Sequence, residues 1–417
     1  MCIERLGLIL CIEISIIYSC HDFSEIVATE RTAMFESLSI ENYKSIRTLP
    51  DFRMNPISVL IGANNSGKSN FLDVFAFLRD ATQYSDPENT ERSGWKWPIE
   101  KRGGWKSICF GEEMFSRITI ADSYFRYHFE IQRDGQYDYH YDINTERLTS
   151  VEGSKKFFER HDRKIEFYDN GTVVDSSDLG MQTALASSLT NNKLNAQAKN
   201  FAQNLSSIKI YDSIHTEKGS PIRQPQKPNG SSVLNENGDN LVNVLAQLSQ
   251  LHERFRIELN SLLKILYPDF SRISFPTNER GEPLIRWEDV HGRVAYTPQL
   301  SDGTLKFLCM LAILKNPSPP SLIGIDEPDA KLHPRMQSIF ADLIHEAGER
   351  AQIIATTHNP DFVSLFDPAE IVIVQQHMGA TEMRRLSNKA ALDLWLEDFT
   401  IRKLWLMGEL ESRWQEK

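Results

Sequence analysis

Cysteine is scarce in this 417-residue chain. The five residues, at positions 2, 11, 20, 109 and 309, form no Cys-x-x-Cys pair and have no histidine cluster nearby. That pattern points away from a disulfide framework or a zinc site and towards a reducing compartment. Long apolar runs are missing too. None reaches the roughly 18–20 residues of a membrane span, so no membrane partner is expected and the chain is assigned to the cytoplasm. Positive charge is in deficit: the formal net charge is −11, which excludes a generally basic nucleic-acid coat but leaves room for a local basic groove. The absence of sustained heptads or an internal repeat argues against a long coiled-coil arm. What remains is an ordinary composition in a chain long enough for one large core or two or three lobes.

The chain is organised around Gly62-Ala63-Asn64-Asn65-Ser66-Gly67-Lys68-Ser69. Two glycines with four residues between them, followed by Lys and Ser, fit a phosphate-binding loop. An apolar run, Ile57 to Ile61, leads in, and an amphipathic run from Asn70 to Leu78 leads out, giving the strand–loop–helix context that the motif needs. Glycines let the backbone fold tightly enough for successive N–H groups to face phosphate oxygens. The following helix presents its positive end to the same anion. Lys68 is expected to reach the β and γ phosphates of ATP, and Ser69 to hold Mg²⁺. Gly62, Asn64, Asn65, Ser66, Gly67, Lys68, Ser69 and Asn70 are the candidate nucleotide contacts.

Residues 1–33 read as a separate extension, expected to be dispensable; the competing reading is a short anchor or partner segment. Residues 34–149 read as the first half of the principal domain, with two strands around a turn at Leu49-Pro50-Asp51 before the phosphate loop. Alternating segments at Arg117–Ala121, Tyr124–Ile131 and Tyr137–Ile143, with Asp134-Gly135 at a turn, predict antiparallel strands. Residues 150–237 read as a variable insertion: a charged run from Lys155 to Lys164, one or two polar helices within Leu185–Leu205, and an exposed loop from Lys218 to Gly230. That loop is either a solvated surface or a phosphate contact. Residues 238–417 form the second half. Asp239-Asn240 is expected to cap a helix over Leu241–Leu251. A helix at Phe255–Leu266 and three short strands near Ile273, Leu284 and Val294 follow.

The second group of motifs lies late in the chain. Ser301-Asp302-Gly303-Thr304 precedes an apolar helical run from Leu305 to Leu314. Then Ser321 to Ile325 reads as a buried strand ending in Asp326-Glu327, the end at which open α/β sheets place ligand chemistry. Asp326 would hold Mg²⁺ directly or through water, and Glu327 would orient and deprotonate the attacking water. Asp329 to Pro334, a helix from Arg335, and a strand Gln352–Thr356 lead to His358, whose imidazole at a strand end is suited to sensing a γ-phosphate. A further strand is expected at Ile371–Val374.

Taken together these residues resemble the ATP-binding-cassette ATPase superfamily. Gly62–Ser69 corresponds to Walker A, Ser301–Thr304 to the signature motif, Ile323–Glu327 to Walker B, Asp329–His333 to the D-loop and His358 to the switch histidine. The wording Asp-Glu-Pro-Asp-Ala-Lys-Leu-His-Pro and Thr-Thr-His-Asn-Pro is similar to the RecF-like and OLD-like predicted AAA-type ATPases, relatives of chromosome-maintenance and DNA-repair heads. The resemblance implies an α/β P-loop NTPase with an ABC-type head: a mixed central sheet, antiparallel strands and a helical lobe. It implies a homodimer paired head-to-tail over two ATP molecules, with Ser301 and Gly303 of one subunit on the γ-phosphate held by Lys68 of the other. Lys68, Glu327 and His358 are then the catalytic residues, Ser69 and Asp326 the metal ligands, and ATP and Mg²⁺ the cofactors. Asp302 departs from the usual second glycine of the signature. A Q-loop is unassigned, with Gln132 and Gln136 lacking convincing context. OLD-type relatives carry a Toprim nuclease after the ATPase; the stretch after His358, with an amphipathic tail from Ala390 to Trp414, reads as too short for one and without an acidic nuclease constellation, so no nuclease activity is expected.

The function expected from this is an ATP hydrolase acting as a dimerising switch in DNA repair or anti-phage defence, with DNA and a separate effector protein as candidate partners. That role rests on family analogy. The alternatives are a nucleotide-regulated scaffold with little turnover, which the intact Glu327 opposes, and a transporter's nucleotide-binding subunit, which the long separation of Gly62 from Ser301 opposes.

Overall fold

The computed structural model describes residues 34–82, 95–133, 141–161, 164–169, 171–178, 183–191, 194–330 and 334–386. The expectations for 1–33, Asp134-Gly135, Gln136, Lys331 to His333 and the tail from Ala390 to Trp414 lie outside these residues.

Strands β1 (Ser37–Tyr43), β2 (Ile46–Arg53) and β3 (Ile57–Ile61) lead into helix α1 (Lys68–Thr82). Short helices α2 (Trp97–Lys101) and α3 (Trp105–Ile108) precede β4 (Phe115–Ala121), β5 (Phe125–Arg133), β6 (Tyr141–Ser150), β7 (Lys156–His161), β8 (Lys164–Asp169) and β9 (Thr172–Asp178). Helices α4 (Ala184–Asn191) and α5 (Ala196–Ser207) run into β10 (Lys209–Tyr211). Next come α6 (Leu241–Leu251), α7 (Glu253–Leu266), β11 (Phe270–Ser274), β12 (Arg286–Asp289) and β13 (Val294–Tyr296). The remainder alternates: α8 (Asp302–Leu314), β14 (Leu322–Ile325), α9 (Pro334–Gly348), β15 (Gln352–Thr357), α10 (Pro360–Val363), β16 (Ile371–His377) and β17 (Ala380–Arg385).

These strands make three sheets, and the expected mixed α/β architecture is what forms. The central sheet has the order β10-β14-β15-β3-β16-β17, parallel except for β17. Its middle strands are buried along their whole length, as a parallel sheet covered on both faces requires. Alternation along β3 sends Ile57, Val59 and Ile61 into one core, with α8, α9 and the α6–α7 pair, and Leu60 into the other, with α1 and the antiparallel sheet. That second sheet runs β2-β1-β4-β5-β6-β7-β8-β9. Helix α1 is held between the two sheets: Phe71 packs on Phe52 of β2, and Phe77 on Tyr43 of β1 and Phe129 of β5.

Several local expectations change. Leu49-Pro50-Asp51 lies inside β2, and the turn is at Lys44-Ser45 instead. Proline is tolerated there because β2 is an edge strand, and Asp51, at φ 40°, sits opposite a register shift in β1, with its N–H donated to Ser39 Oγ at 2.9 Å. The charged run after Lys155 is largely strand β7: Phe157 and Phe158 are buried, and a fully buried Arg160 lies 3.8 Å from Glu146. Glu146 accepts the backbone N–H groups of Ala184 and Leu185, so the sheet itself caps α4. Helix α6 forms where expected, but Asn240 does not cap it through its side chain; that side chain joins Asn235 N to Val233 O. β17 was not anticipated.

Gln352 ties the start of β15 to the segments before β1 and β3. Fully buried, it accepts from Phe35 N at 3.2 Å and donates to Phe35 O and Asn55 O at 2.9 and 3.1 Å. Replacing it with leucine strands those backbone groups, which is expected to cost about 2 kcal/mol. Thermal melting checks this: Gln352→Leu should unfold at lower temperature than the wild type, and an unchanged midpoint would remove this tie from the account.

Candidate active site

The site forms where β3, β14 and β15 end side by side. Thr357 pairs with Ile61 and Ala355 with Ile325, so the loops that follow these strands open on the same edge. The first of them is the turn Gly62–Gly67. A Cβ on Gly62 would lie 2.0 Å from Val374 O, and Gly67 adopts φ +106° with a Cβ position 2.0 Å from Thr381 Oγ1. Asn65 is also left-handed, at φ 65°. Only glycine fits the two tight positions, and the loop lies flat against β16 and β17. Thr381 Oγ1 donates to Ser66 O at 2.9 Å and meets Ser45 Oγ at 2.7 Å, and Asn70 Nδ2 donates to that same Ser45 at 2.7 Å. Asn70 thus braces the loop. Asn64 and Asn65 are exposed, while Ser66 Oγ is buried with no hydrogen-bond partner among the described residues.

Lys68 opens α1 with its ammonium folded back on the loop, donating to Gly62 O at 2.8 Å and Ala63 O at 2.9 Å. Burial pulls its pKa down to about 8, against the opposing pull of Asp326 and Glu327. Ser69 Oγ donates to Asp326 Oδ2 at 2.9 Å. Thr356 Oγ1 donates to the other oxygen of Asp326 and accepts from Glu327 N at 3.1 Å. Glu327 itself is left-handed, at φ 47°. His358 closes the ring: Nε2 is 2.9 Å from Glu327 Oε1 and Nδ1 is 3.5 Å from Lys68 Nζ. Next to it, Thr357 Oγ1 donates at 2.8 Å to Asp329, a carboxyl raised by burial. The structure therefore brings Lys68, Ser69, Asp326, Glu327 and His358 into one connected set.

A hydroxyl and a carboxylate 2.9 Å apart are oxygen donors of the kind a hard divalent cation takes, so the residues fit Mg²⁺. Two cavities flank Asp326. One, of about 370 Å³, is lined by Ser69, Arg79, Arg102 and Glu236 among others. The other, of about 280 Å³, is lined by Asp212, Ser213, Lys306 and Glu327.

The signature residues stand apart from this set. Exposed Ser301 caps α8 through Thr304 N at 3.1 Å, and no hydrogen bond among the described residues joins Ser301 or Gly303 to the phosphate loop. The carboxylate of Asp302 is accounted for. Buried Arg223 donates to Asp302 Oδ1 at 2.5 Å, and also to the carbonyls of Thr216, Pro298 and Leu300. Arg223 comes from the stretch read as an exposed loop, and nothing local marked it. Thr381 and Ser45 were equally invisible, because they meet only through tertiary structure. Thr356 lay within the Thr-Thr-His-Asn-Pro motif without an assigned role.

Comparison with known proteins places this geometry. The family described as "AAA domain, putative AbiEii toxin, Type IV TA system" matches residues 57–364. The Old nuclease of Escherichia phage P2 is 23% identical over 398 residues, covering 87% of this chain and 63% of that protein, so the chain spans less than two thirds of its length. A crystal structure of an Smc head bound to the C-winged helix domain of ScpA aligns over 86% of this chain and 99% of its own, at 16% identity and a TM-score of 0.50. An Smc head with an extended coiled coil bound to the C-terminal domain of ScpA derived from Pyrococcus furiosus aligns over 88% and 99%, at 15% identity and a TM-score of 0.45. The fold is that of an ABC-type P-loop head, and the chain belongs to the AAA-domain family whose profile it matches.

The depressed Lys68 gives a testable signature. A phosphate ligand favours the protonated amine, so binding draws a proton onto Lys68 once the pH passes about 8. Calorimetry at pH 8.5 in buffers of different ionisation heat should show proton uptake with ATP, affinity should fall between pH 7 and pH 9, and Lys68→Met should lose the uptake. Buffer-independent heats in the wild type would contradict this.

Proposed function

We propose that this AAA-family chain binds and hydrolyses ATP as one half of a head-to-tail dimer that encloses two nucleotides. The observation that carries the reading is the connected set Lys68–His358–Glu327–Thr356–Asp326–Ser69 at one sheet edge. In it, the loop amides and Lys68 bind the β and γ phosphates. Glu327, turned into the site by its left-handed backbone, accepts the proton of the attacking water. His358, between Lys68 and Glu327, contacts the γ-phosphate and orients that carboxylate. Mg²⁺ held by Ser69 and Asp326 supplies charge neutralisation of the phosphates.

The exposed position of Ser301, with half-buried Gly303 beside it and both away from their own phosphate loop, supports their use on the partner's γ-phosphate. Arg223 supports it too, since Asp302 is engaged in the same chain and does not confront the anion. We place the dimer in DNA repair or anti-phage defence, working with a partner protein and with DNA as a candidate substrate. The likeness to a phage Old nuclease, and the ScpA-bound state of the Smc head, support that assignment. A cytoplasmic location accords with the finding that no helix among the described residues is long and apolar enough to cross a membrane.

The test is the solution mass of Glu327→Gln with and without ATP and Mg²⁺. ATP should double the mass, Ser301→Arg added to the same protein should prevent this, and Glu327→Gln should lower turnover by about a hundredfold or more. A mass indifferent to ATP would overturn the sandwich, and retained turnover would overturn the role of Glu327.

A further inference from the structure

The apolar helix α8 carries one lysine, Lys306, and it reaches into the Walker B turn. Its Nζ donates to Glu327 O at 2.8 Å and to Ala330 O at 2.9 Å. Glu327 is thereby held at three points: its N–H by Thr356, its carboxylate by His358 and its carbonyl by Lys306. Left-handed backbone at a non-glycine residue persists only where the surroundings over-determine it. Lys306 is part of that determination, and it comes from the same helix that begins at the signature turn.

That helix is built to move as a unit. Ser301 caps its exposed end, and nine of its residues from Leu305 onward are buried. Arg223 locks the turn before it through the carbonyls of Pro298 and Leu300 and through Asp302, and Tyr267 OH meets Thr304 Oγ1 at 3.1 Å. A pull on Ser301 is therefore not absorbed locally. It passes along about one and a half helical turns to Lys306, and from there to the Glu327 and Ala330 carbonyls.

We propose that Lys306 is a positioning residue that couples engagement of the signature turn by the partner's nucleotide to the setting of Glu327 in its own chain. The inference rests on the head-to-tail reading above. In a closed dimer, ATP at one site would then adjust the general base of the other, and turnover would depend on both sites being filled.

The experiment compares wild type, Lys306→Met and Lys306→Arg for ATP affinity, ATP-dependent mass and specific activity across protein concentration. Wild-type specific activity should rise as the dimer forms. Lys306→Met should bind ATP and associate as the wild type does, yet lack that rise, with kcat at high concentration lower by about ten- to a hundredfold and KM unchanged. Lys306→Arg, which keeps a cation able to reach two carbonyls, should recover most of the rise. If Lys306→Met does not fold, Lys306→Gln is read in the same way. A variant without the lysine that associates and speeds up like the wild type overturns the coupling alone. Wild-type turnover with no association overturns the sandwich, and the coupling with it.

Discussion

The pairing of β14, β15 and β3 is the constraint on which everything else depends. Three parallel strands in fixed register end at one edge, and each end carries a different chemistry: the phosphate loop after Ile61, two carboxylates after Ile325, and a histidine after Thr357. Parallel strands cannot be joined by tight turns, so these ends come from distant parts of the chain. A slip of one residue would turn the buried apolar groups of β3 to the wrong core. The two cores on either side of the central sheet therefore set the register, and the register sets the site.

Within that frame, a few polar contacts do the fine positioning. Thr356 is the hub, touching Asp326 through its hydroxyl and the Glu327 N–H through the same oxygen. A left-handed residue costs roughly 1–2 kcal/mol, and Glu327 occupies that conformation only with Thr356 and Lys306 on either side of it. Thr381 and Ser45 perform the same service for the phosphate loop from β17 and the β1–β2 turn. These contacts fix the loop's shape from within the chain, and a site held in this way lowers the ordering cost of binding.

The motif residues and the fold were legible in the sequence because their chemistry is local. Glycines before a lysine, a serine cap before an apolar helix, and acids at the end of an apolar strand each carry their own context over a few residues. What was not legible is what joins them. Arg223 looked like one more charge in a proline-rich loop, and only the structure places it beneath the signature turn. Lys306 falls inside the apolar run from Leu305 to Leu314, and nothing local marks the carbonyls it reaches. Pro50 looked like a turn because the edge position of β2, which excuses it, is a property of the whole sheet. β17 lay beyond the last recognised motif, and its Thr381 matters only through a loop more than three hundred residues away.

The central claim is that Ser69 and Asp326, brought together by the register of β3 and β14, act as a single metal site for a bound nucleotide. Its most direct test is the Mg²⁺ dependence of ATP affinity in the wild type and in Asp326→Asn, with the metal removed by chelation. The account predicts that chelation weakens ATP binding by about tenfold, or 1.4 kcal/mol, in the wild type and changes it little in Asp326→Asn. An equal loss in both proteins would place the metal elsewhere and contradict it.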